Sequence, residues 1–155
     1  MQHRRKFLRH VGEGGVLAAL VSAGLLTIPQ AWAADHSQAA FDAKTVEDAF
    51  RALGANAPAV SDAIELTAPT IAENGAVVPI KVNSAIPGTE SIALLVEENP
   101  YALAMVTTIP EGTEPYVSSR VKMQKTSRVI ALVRAKGEYF MATRDVKVTL
   151  GGCGG

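Results

Sequence analysis

The sequence predicts a mainly β protein, an immunoglobulin-like antiparallel β-sandwich of about seven strands with a short N-terminal helix. From Ile64 onward, apolar and polar residues alternate in short runs, which is typical of strands with one buried face. Turn signals separate these runs, and they are Asn74-Gly75, Pro87-Gly88, Asn99-Pro100, Pro110-Glu111-Gly112 and Lys136-Gly137. Short strands punctuated in this way are typical of a sandwich.

The first 33 residues have the three parts of an export signal. Residues 3–9, HRRKFLR, resemble a twin-arginine motif, an apolar stretch follows at 16–28, and Ala31-Trp32-Ala33 suits signal peptidase. The apolar stretch is shorter than the ~18–20 residues that span a bilayer, so an uncleaved anchor is the less favoured interpretation. We expect export to the periplasm by the twin-arginine pathway, cleavage after Ala33 and no membrane attachment afterwards.

Removal of residues 1–33 changes the charge of the chain. Four of the 15 Lys and Arg residues leave with the signal but only one of the 15 acidic residues, so 122 residues with a net charge of −3 remain. This length suits a single domain, which we place at 45–150 after a flexible lead-in at 34–44. A mild negative charge argues against nucleic acid as a partner.

The domain begins with a short helix over 45–54. Val46, Ala49, Phe50 and Leu53 share one face of this helix at i, i+3, i+4, i+7 spacing. Thr45 and Asp48 form an imperfect capping box, and Gly54 is a natural stop. Because so short a helix is unstable alone, its apolar face must dock on the rest of the domain.

The strands follow near residues 63–68, 76–83, 91–98, 102–108, 116–123, 127–135 and 138–150. Asn74-Gly75 suits a tight hairpin with positive φ. Residues 92–96 and 129–133 are apolar on both faces, so either the docked helix or a partner subunit covers their outer face.

The domain carries no catalytic or metal-binding set that the sequence reveals. After the signal the chain has a single histidine, His36, which lies in the lead-in, so no Ser-His-Asp or Cys-His pair is expected on the folded domain. Glu97 and Glu98 point to opposite faces of their strand and do not form an acid–base pair. We expect no metal, no cofactor and no catalysis by this chain. The domain also has a local basic cluster, which consists of Arg120, Lys122, Lys125 and Arg128. This cluster could steer anions or an acidic partner, but we favour the interpretation that it is a solvated strand face.

The last five residues hold the only cysteine of the chain, and they are Gly151, Gly152, Cys153, Gly154 and Gly155. Cys153 lies three residues beyond Leu150, which corresponds to a reach of about 10 Å past the sheet when the chain is extended. A free cysteine has a pKa of ~8.5, and no sequence neighbour of Cys153 would activate its thiol. The glycines have no side chains, so the segment can enter a narrow channel. We therefore interpret it as a flexible arm that presents an unactivated thiol to other enzymes.

These residues resemble one known family, the Y subunit of the Sox sulfur-carrier complex of thiosulfate-oxidising bacteria. The terminal GGCGG is the signature of that family, and residues 70–80 resemble its early hairpin. Residues 117–123 and 144–150 are similar as well, whereas residues 99–102 lack a second proline that the family usually has near Ala102. The resemblance runs through nearly all of the chain after the signal.

The resemblance implies a non-catalytic carrier with a swinging arm. The thiol of Cys153 would be coupled to the sulfane sulfur of thiosulfate, giving a cysteine S-thiosulfonate. A heterodimer with a Z subunit, itself a sandwich, would be exported already assembled. The partner enzymes that the resemblance implies are a thiosulfate-coupling cytochrome, a sulfate-releasing hydrolase and a sulfane dehydrogenase.

Two other functions are compatible with the tail. An exported structural or adhesion sandwich would dimerise through a Cys153 disulfide. A carrier that uses a C-terminal thiocarboxylate on Gly155 would need ATP and would not need Cys153, so it is disfavoured.

Overall fold

The computed structural model describes residues 38–150. The predicted signal peptide at 1–33 and the predicted arm at 151–155 lie outside these residues, and so does His36. Residues 38–42 form helix α1, and α2 spans Val46–Leu53. Nine strands follow, and they are β1 Ala59–Val60, β2 Ile64–Thr67, β3 Ile71–Asn74, β4 Val78–Ser84, β5 Thr89–Val96, β6 Leu103–Thr108, β7 Tyr116–Val121, β8 Ser127–Ala135 and β9 Glu138–Leu150.

The strands form two sheets, which confirms the prediction of a mainly β sandwich. The larger sheet has the order β1-β9-β8-β5-β6, with β3 pairing onto β9, and the smaller has the order β2-β4-β7. All seven predicted strands are present, as β2 and β4 to β9. The prediction missed β1 and β3, which pair with β9 in parallel. β1 has only two residues, and β3 buries just one of its four, so neither shows an alternating pattern.

The predicted hairpin at Asn74-Gly75 is wrong. β3 pairs with β9, whereas β4 pairs with β2 and β7, so the turn carries the chain from one sheet to the other. Gly75 also lacks the expected positive φ, and the side chain of Asn74 accepts a hydrogen bond from the Ala76 N–H at 2.9 Å. An Asn-Gly signal marks a change of direction, but it does not decide which strands pair.

The main core lies between the two sheets. β4 buries alternate residues against the larger sheet, and Val78, Ile80 and Val82 are fully buried there. The larger sheet contributes the inward-facing side chains of β5 and β8, which are Ile92, Leu94, Val96, Val129, Ala131 and Val133.

A second core lies on the outer face of the larger sheet. Ala93 and Leu95 of β5 and Ile130 and Leu132 of β8 pack there with α1, α2 and the residues around them. Of the two interpretations of the doubly apolar strands, the helical one is therefore confirmed, because this chain covers its own sheet. The Tyr139 hydroxyl, which donates a hydrogen bond to the Leu53 carbonyl, joins the end of α2 to β9.

The caps of α2 are those predicted. The hydroxyl of Thr45 accepts a hydrogen bond from the Asp48 N–H at 3.1 Å, and Gly54 has the left-handed conformation with φ 77°. The Thr45 hydroxyl also donates to the Asp48 carboxylate, and Arg51 bonds it from the next turn. These two contacts hold the pKa of Asp48 below its usual value.

The described part of the predicted flexible lead-in is ordered instead. Residues 38–42 are helical, and Ala40 and Ala43 are buried in the second core. The Ala102 N–H donates to the Ala43 carbonyl at 3.0 Å, which attaches this segment to the start of β6. The prediction failed because small residues are typical of loops, whereas here their small side chains let a helix approach the sheet closely.

Coverage of the outer face by this chain's own helices leads to a stability prediction. Leu95 is fully buried in the second core, so Leu95→Ala should lower the free energy of unfolding of the isolated chain by about 2–5 kcal/mol in urea titrations. The control is Val60→Ala, at a side chain that is 73% exposed, which should change it by less than about 0.5 kcal/mol. If Leu95→Ala behaved like the control, the helices would not pack on this face in the isolated protein.

Candidate functional site

The candidate site begins where strand β9 ends. Cys153 and the glycines around it lie outside the described residues, and strand β9 is described as far as Leu150. We call residues 147–150 the arm root. Its geometry determines where the arm starts and how firmly its origin is held.

Strand β3 holds one edge of the arm root. Ile71 pairs with Lys147 and Asn74 with Leu150, in parallel register. The Gly75 N–H donates to the Leu150 carbonyl at 2.8 Å, so the hydrogen bonds continue to the last described residue. The bonds before it come from the Lys147 N–H to Thr70 O at 3.0 Å and from the Thr149 hydroxyl to Glu73 O at 3.1 Å.

Thr126 holds the opposite edge of the arm root. Its hydroxyl accepts a hydrogen bond from the Val148 N–H at 3.0 Å and donates to the Val148 carbonyl at 3.5 Å. A side chain here replaces the neighbouring strand, because β8 begins only at Ser127. The root is therefore bonded on both sides.

The loop that carries Thr126 is itself fixed. The side-chain amide of Asn99 donates to Lys122 O at 2.7 Å, and its oxygen accepts from the Gln124 N–H at 3.2 Å. The Met123 N–H donates to the Gly75 carbonyl at 2.6 Å, which ties this loop to the turn after β3. Residues far apart in sequence thus meet around the root.

The charges near the root are partly paired. Lys125 bonds to Glu98 at 2.6 Å, and Arg128 approaches Asp145 at 3.5 Å. The predicted basic cluster is therefore divided: Lys125 and Arg128 have acidic partners, whereas Arg120 and Lys122 form no ion pair within residues 38–150.

Apolar side chains are also exposed on the root and on the segment bonded to it. Leu150 is 70% exposed, Ile71 56% and Val77 51%. Leu150 is on β9, Ile71 is on β3 and Val77 follows the turn after β3.

The described residues contain no cluster of metal-ligating side chains. Within 38–150, no group of three or more His, Cys, Asp or Glu residues is placed to hold a metal ion. Glu98 bonds to Lys125, and its neighbour Glu97 is exposed, so the two do not converge. No helix in the described range has the length and apolar character needed to cross a membrane.

A cleft of about 860 Å³ lies at the end of the sandwich opposite the arm root. The loops before β5 and after β6 form most of its wall, together with Lys136 of the β8–β9 turn. Ser84 at this cleft is one of the few buried polar residues, and its hydroxyl bonds to Thr89 at 2.9 Å.

Comparison with known proteins identifies the family. A family model described as sulfur oxidation protein SoxY matches residues 50–153, which include the arm root and Cys153. The chain belongs to the SoxY family. This confirms the resemblance that the tail and the segments at 70–80, 117–123 and 144–150 indicate.

A solved structure supports the same family. The SoxY-family chain is 36% identical to the sulfur carrier protein SoxY from Chlorobium limicola f thiosulfatophilum, with a TM-score of 0.62. The match covers 68% of this chain and 97% of that one. No curated protein sequence matches this SoxY-family chain.

Two more distant structures were also found. The superoxide reductase (neelaredoxin) from Ignicoccus hospitalis is 18% identical with a TM-score of 0.49, covering 55% of this chain and 79% of that one. A lytic polysaccharide monooxygenase from Jonesia denitrificans is 15% identical with a TM-score of 0.39, covering 52% of this chain and 58% of that one.

The sequence located the tail but missed the residues that hold its root. Thr126, Asn99 and strand β3 carry no motif, and each acts through a partner at least 22 residues away. The one available signal was the segment at 70–80, which resembles the family but was interpreted as a hairpin. In the structure its first part is the strand beside the arm root.

The two-sided attachment of the root can be tested at Thr126. Thr126→Val keeps the branched shape but removes both hydrogen bonds to Val148, so the Val148 amide should exchange about fivefold faster with solvent, as measured by NMR hydrogen exchange. Thr67→Val is the matched control, because Thr67 is exposed on β2 and makes no side-chain hydrogen bond among the described residues. Unchanged exchange at Val148 in the Thr126 variant would show that β3 alone holds the root.

Proposed function

We propose that this SoxY-family protein is a covalent carrier of sulfur intermediates in periplasmic thiosulfate oxidation, with Cys153 as the attachment site. Membership of the SoxY family carries this proposal, and the family model extends to Cys153 itself. The related Chlorobium structure is described as a sulfur carrier protein. The attachment of β9 supports the same role, because the strand is hydrogen-bonded as far as Leu150, three residues before the thiol.

The chemistry proposed for Cys153 starts with an oxidative coupling. The thiol and thiosulfate join through a new S–S bond to give cysteine S-thiosulfonate, with loss of one proton and two electrons. The electrons pass to the thiosulfate-coupling cytochrome. A hydrolase then adds water and releases sulfate, which leaves a persulfide for the sulfane dehydrogenase to oxidise.

In this proposal the folded domain positions the thiol and does not catalyse the reactions. Within residues 38–150 we find no His, Cys or metal group that could activate the thiol, so the partner enzymes supply the catalysis. The rigid root fixes the origin of the arm, and an extended arm places the thiol about 10 Å beyond it. A narrow active site can then receive the sulfur while the folded domain stays outside.

The heterodimer with a Z subunit remains part of this proposal, but it needs a surface other than the outer face of the larger sheet, which this chain's helices cover. Strand β6 is the better candidate. It is the last strand of the larger sheet, and residues 101–109 contain neither charge nor proline. Uncharged edge strands invite pairing with another chain, and proteins normally protect them.

The first test replaces the attachment atom. Cys153→Ser should fold like the wild type, with the same urea midpoint, but should acquire no sulfur adduct and abolish thiosulfate oxidation in the reconstituted pathway. The displaced-thiol control combines Cys153→Ser with Ser118→Cys, at an exposed position of β7. That protein regains a thiol but should not regain activity.

Normal thiosulfate oxidation by Cys153→Ser would contradict the carrier function. Activity in the displaced-thiol control would show that any surface thiol suffices. If reductant only separated disulfide dimers of the wild type, and no adduct formed during turnover, the structural or adhesion sandwich would be the better description.

The second test concerns the Z subunit. Ala104→Lys places a charge on the exposed side of β6. This variant should bind the Z subunit about tenfold more weakly, which corresponds to about 1.4 kcal/mol. Titration calorimetry measures the affinity. Asn83→Lys is the matched control, because Asn83 is exposed on the central strand of the smaller sheet. Equal binding by both variants and the wild type would exclude β6 as the contact.

A further inference from the structure

The outer face of the smaller sheet is exposed, unlike that of the larger sheet. Alternate residues of β2, β4 and β7 point away from the core along this face. The exposed residues of the face are Glu65, Thr67, Pro79, Lys81, Asn83, Tyr116, Ser118 and Arg120.

Three cations lie on this face between its middle, at Lys81, and the end of β7. Lys81 is opposite Ser118 in the sheet, which places Arg120 on the diagonal, about 7–8 Å away. Lys122 follows Arg120 with the same two-residue period and is exposed. Within residues 38–150, none of the three forms an ion pair. We call Lys81, Arg120 and Lys122 the basic end of the face.

Acidic side chains lie on and beside the same face. Glu65 is opposite Asn83 and diagonal to Lys81, and Glu111 and Glu114 lie in the loop that leads into β7. Arg120 and Lys122, at the end of β7, are therefore the cations of the face that lie farthest from Glu65.

The basic end adjoins the arm root. Lys122 precedes Met123, whose N–H donates to Gly75 O at 2.6 Å, and the Gly75 N–H donates to Leu150 O at 2.8 Å. Two consecutive hydrogen bonds thus connect the basic end to the last residue before the arm. A protein that contacts this end has the thiol within its reach, since the arm extends about 10 Å.

We propose that the basic end is the docking surface for an acidic rim around the active-site entrance of the enzymes that receive the arm. This inference rests on the carrier function proposed above. Three separate cations on a flat, exposed sheet suit an extended acidic protein surface better than a single small anion. The net charge after signal removal is −3, so these unpaired cations are a local basic site on a mildly acidic chain, and complementary charge favours contact with an acidic surface.

The test compares single charge reversals on the full-length mature protein. Arg120→Glu and Lys122→Glu alter the basic end, and Lys136→Glu is the matched control, because Lys136 is exposed in the turn at the opposite end of the sandwich. The readout is the initial rate at which the thiosulfate-coupling cytochrome of the same pathway loads Cys153, measured against carrier concentration at low and high salt.

Docking at the basic end predicts a KM about tenfold higher for both variants at low salt, with kcat within about twofold of wild type. High salt should remove most of the difference, and Lys136→Glu should match the wild type throughout. Unchanged KM in Arg120→Glu and Lys122→Glu would overturn the inference, and so would an equal rise in Lys136→Glu. Urea titration of each variant confirms that the fold is retained.

A second measurement separates docking from a local effect on small anions. Under docking, the variants and the wild type react with the dianion 5,5′-dithiobis(2-nitrobenzoate) at rates within about twofold, since no surface contact is involved. If Arg120→Glu and Lys122→Glu reacted tenfold more slowly, the rise in KM would come from a changed electrostatic potential at the thiol. That result would overturn the docking inference. If the wild-type protein acquired no sulfur adduct, the carrier function itself would be contradicted. This outcome differs from a failure of the docking inference, in which the wild type is loaded and the variants match it.

Discussion

The structure depends on strand β9 being bonded along both edges almost to its last residue. β8 pairs with it from Glu138 to Val146, and β3 pairs with it from Lys147 to Leu150. Where β8 no longer reaches, the hydroxyl of Thr126 bonds to Val148 instead. Strand ends usually fray, because their outer hydrogen bonds are exposed to water. Here the hydrogen bonds of β9 continue to Leu150, the last described residue.

The two faces of the sandwich have different surroundings. Helices α1 and α2 cover the larger sheet, and the Tyr139 hydroxyl joins α2 to β9 itself. Two other surfaces of the described residues are the β6 edge, which carries no charge, and the exposed outer face of the smaller sheet. The first suits a lasting partner that extends the sheet, whereas the second suits brief, electrostatically steered contacts. The carrier function proposed above would use both kinds of surface.

Local patterns predicted much of this fold. The caps Thr45 and Gly54 and the seven predicted strands follow from residue periodicity and turn chemistry, which act over a few residues. The attachment of the root did not follow, because Thr126 and β3 reach it through the tertiary fold. The turn at Asn74-Gly75 was misinterpreted for the same reason: β3 pairs with a strand that lies some 70 residues later in the chain. The tail itself was found because a lone cysteine among glycines has no structural explanation within the domain.

The central claim is that the domain holds a thiol on which other enzymes act. Intact-mass spectrometry of the mature protein from thiosulfate-grown cells tests it most directly. The account predicts a polypeptide that begins at Ala34 and carries reductant-sensitive masses of added sulfur, with and without sulfonate oxygens, on the fragment that contains Cys153. A population with the unmodified mass, or one modified only by a disulfide between two copies of the chain, would contradict it.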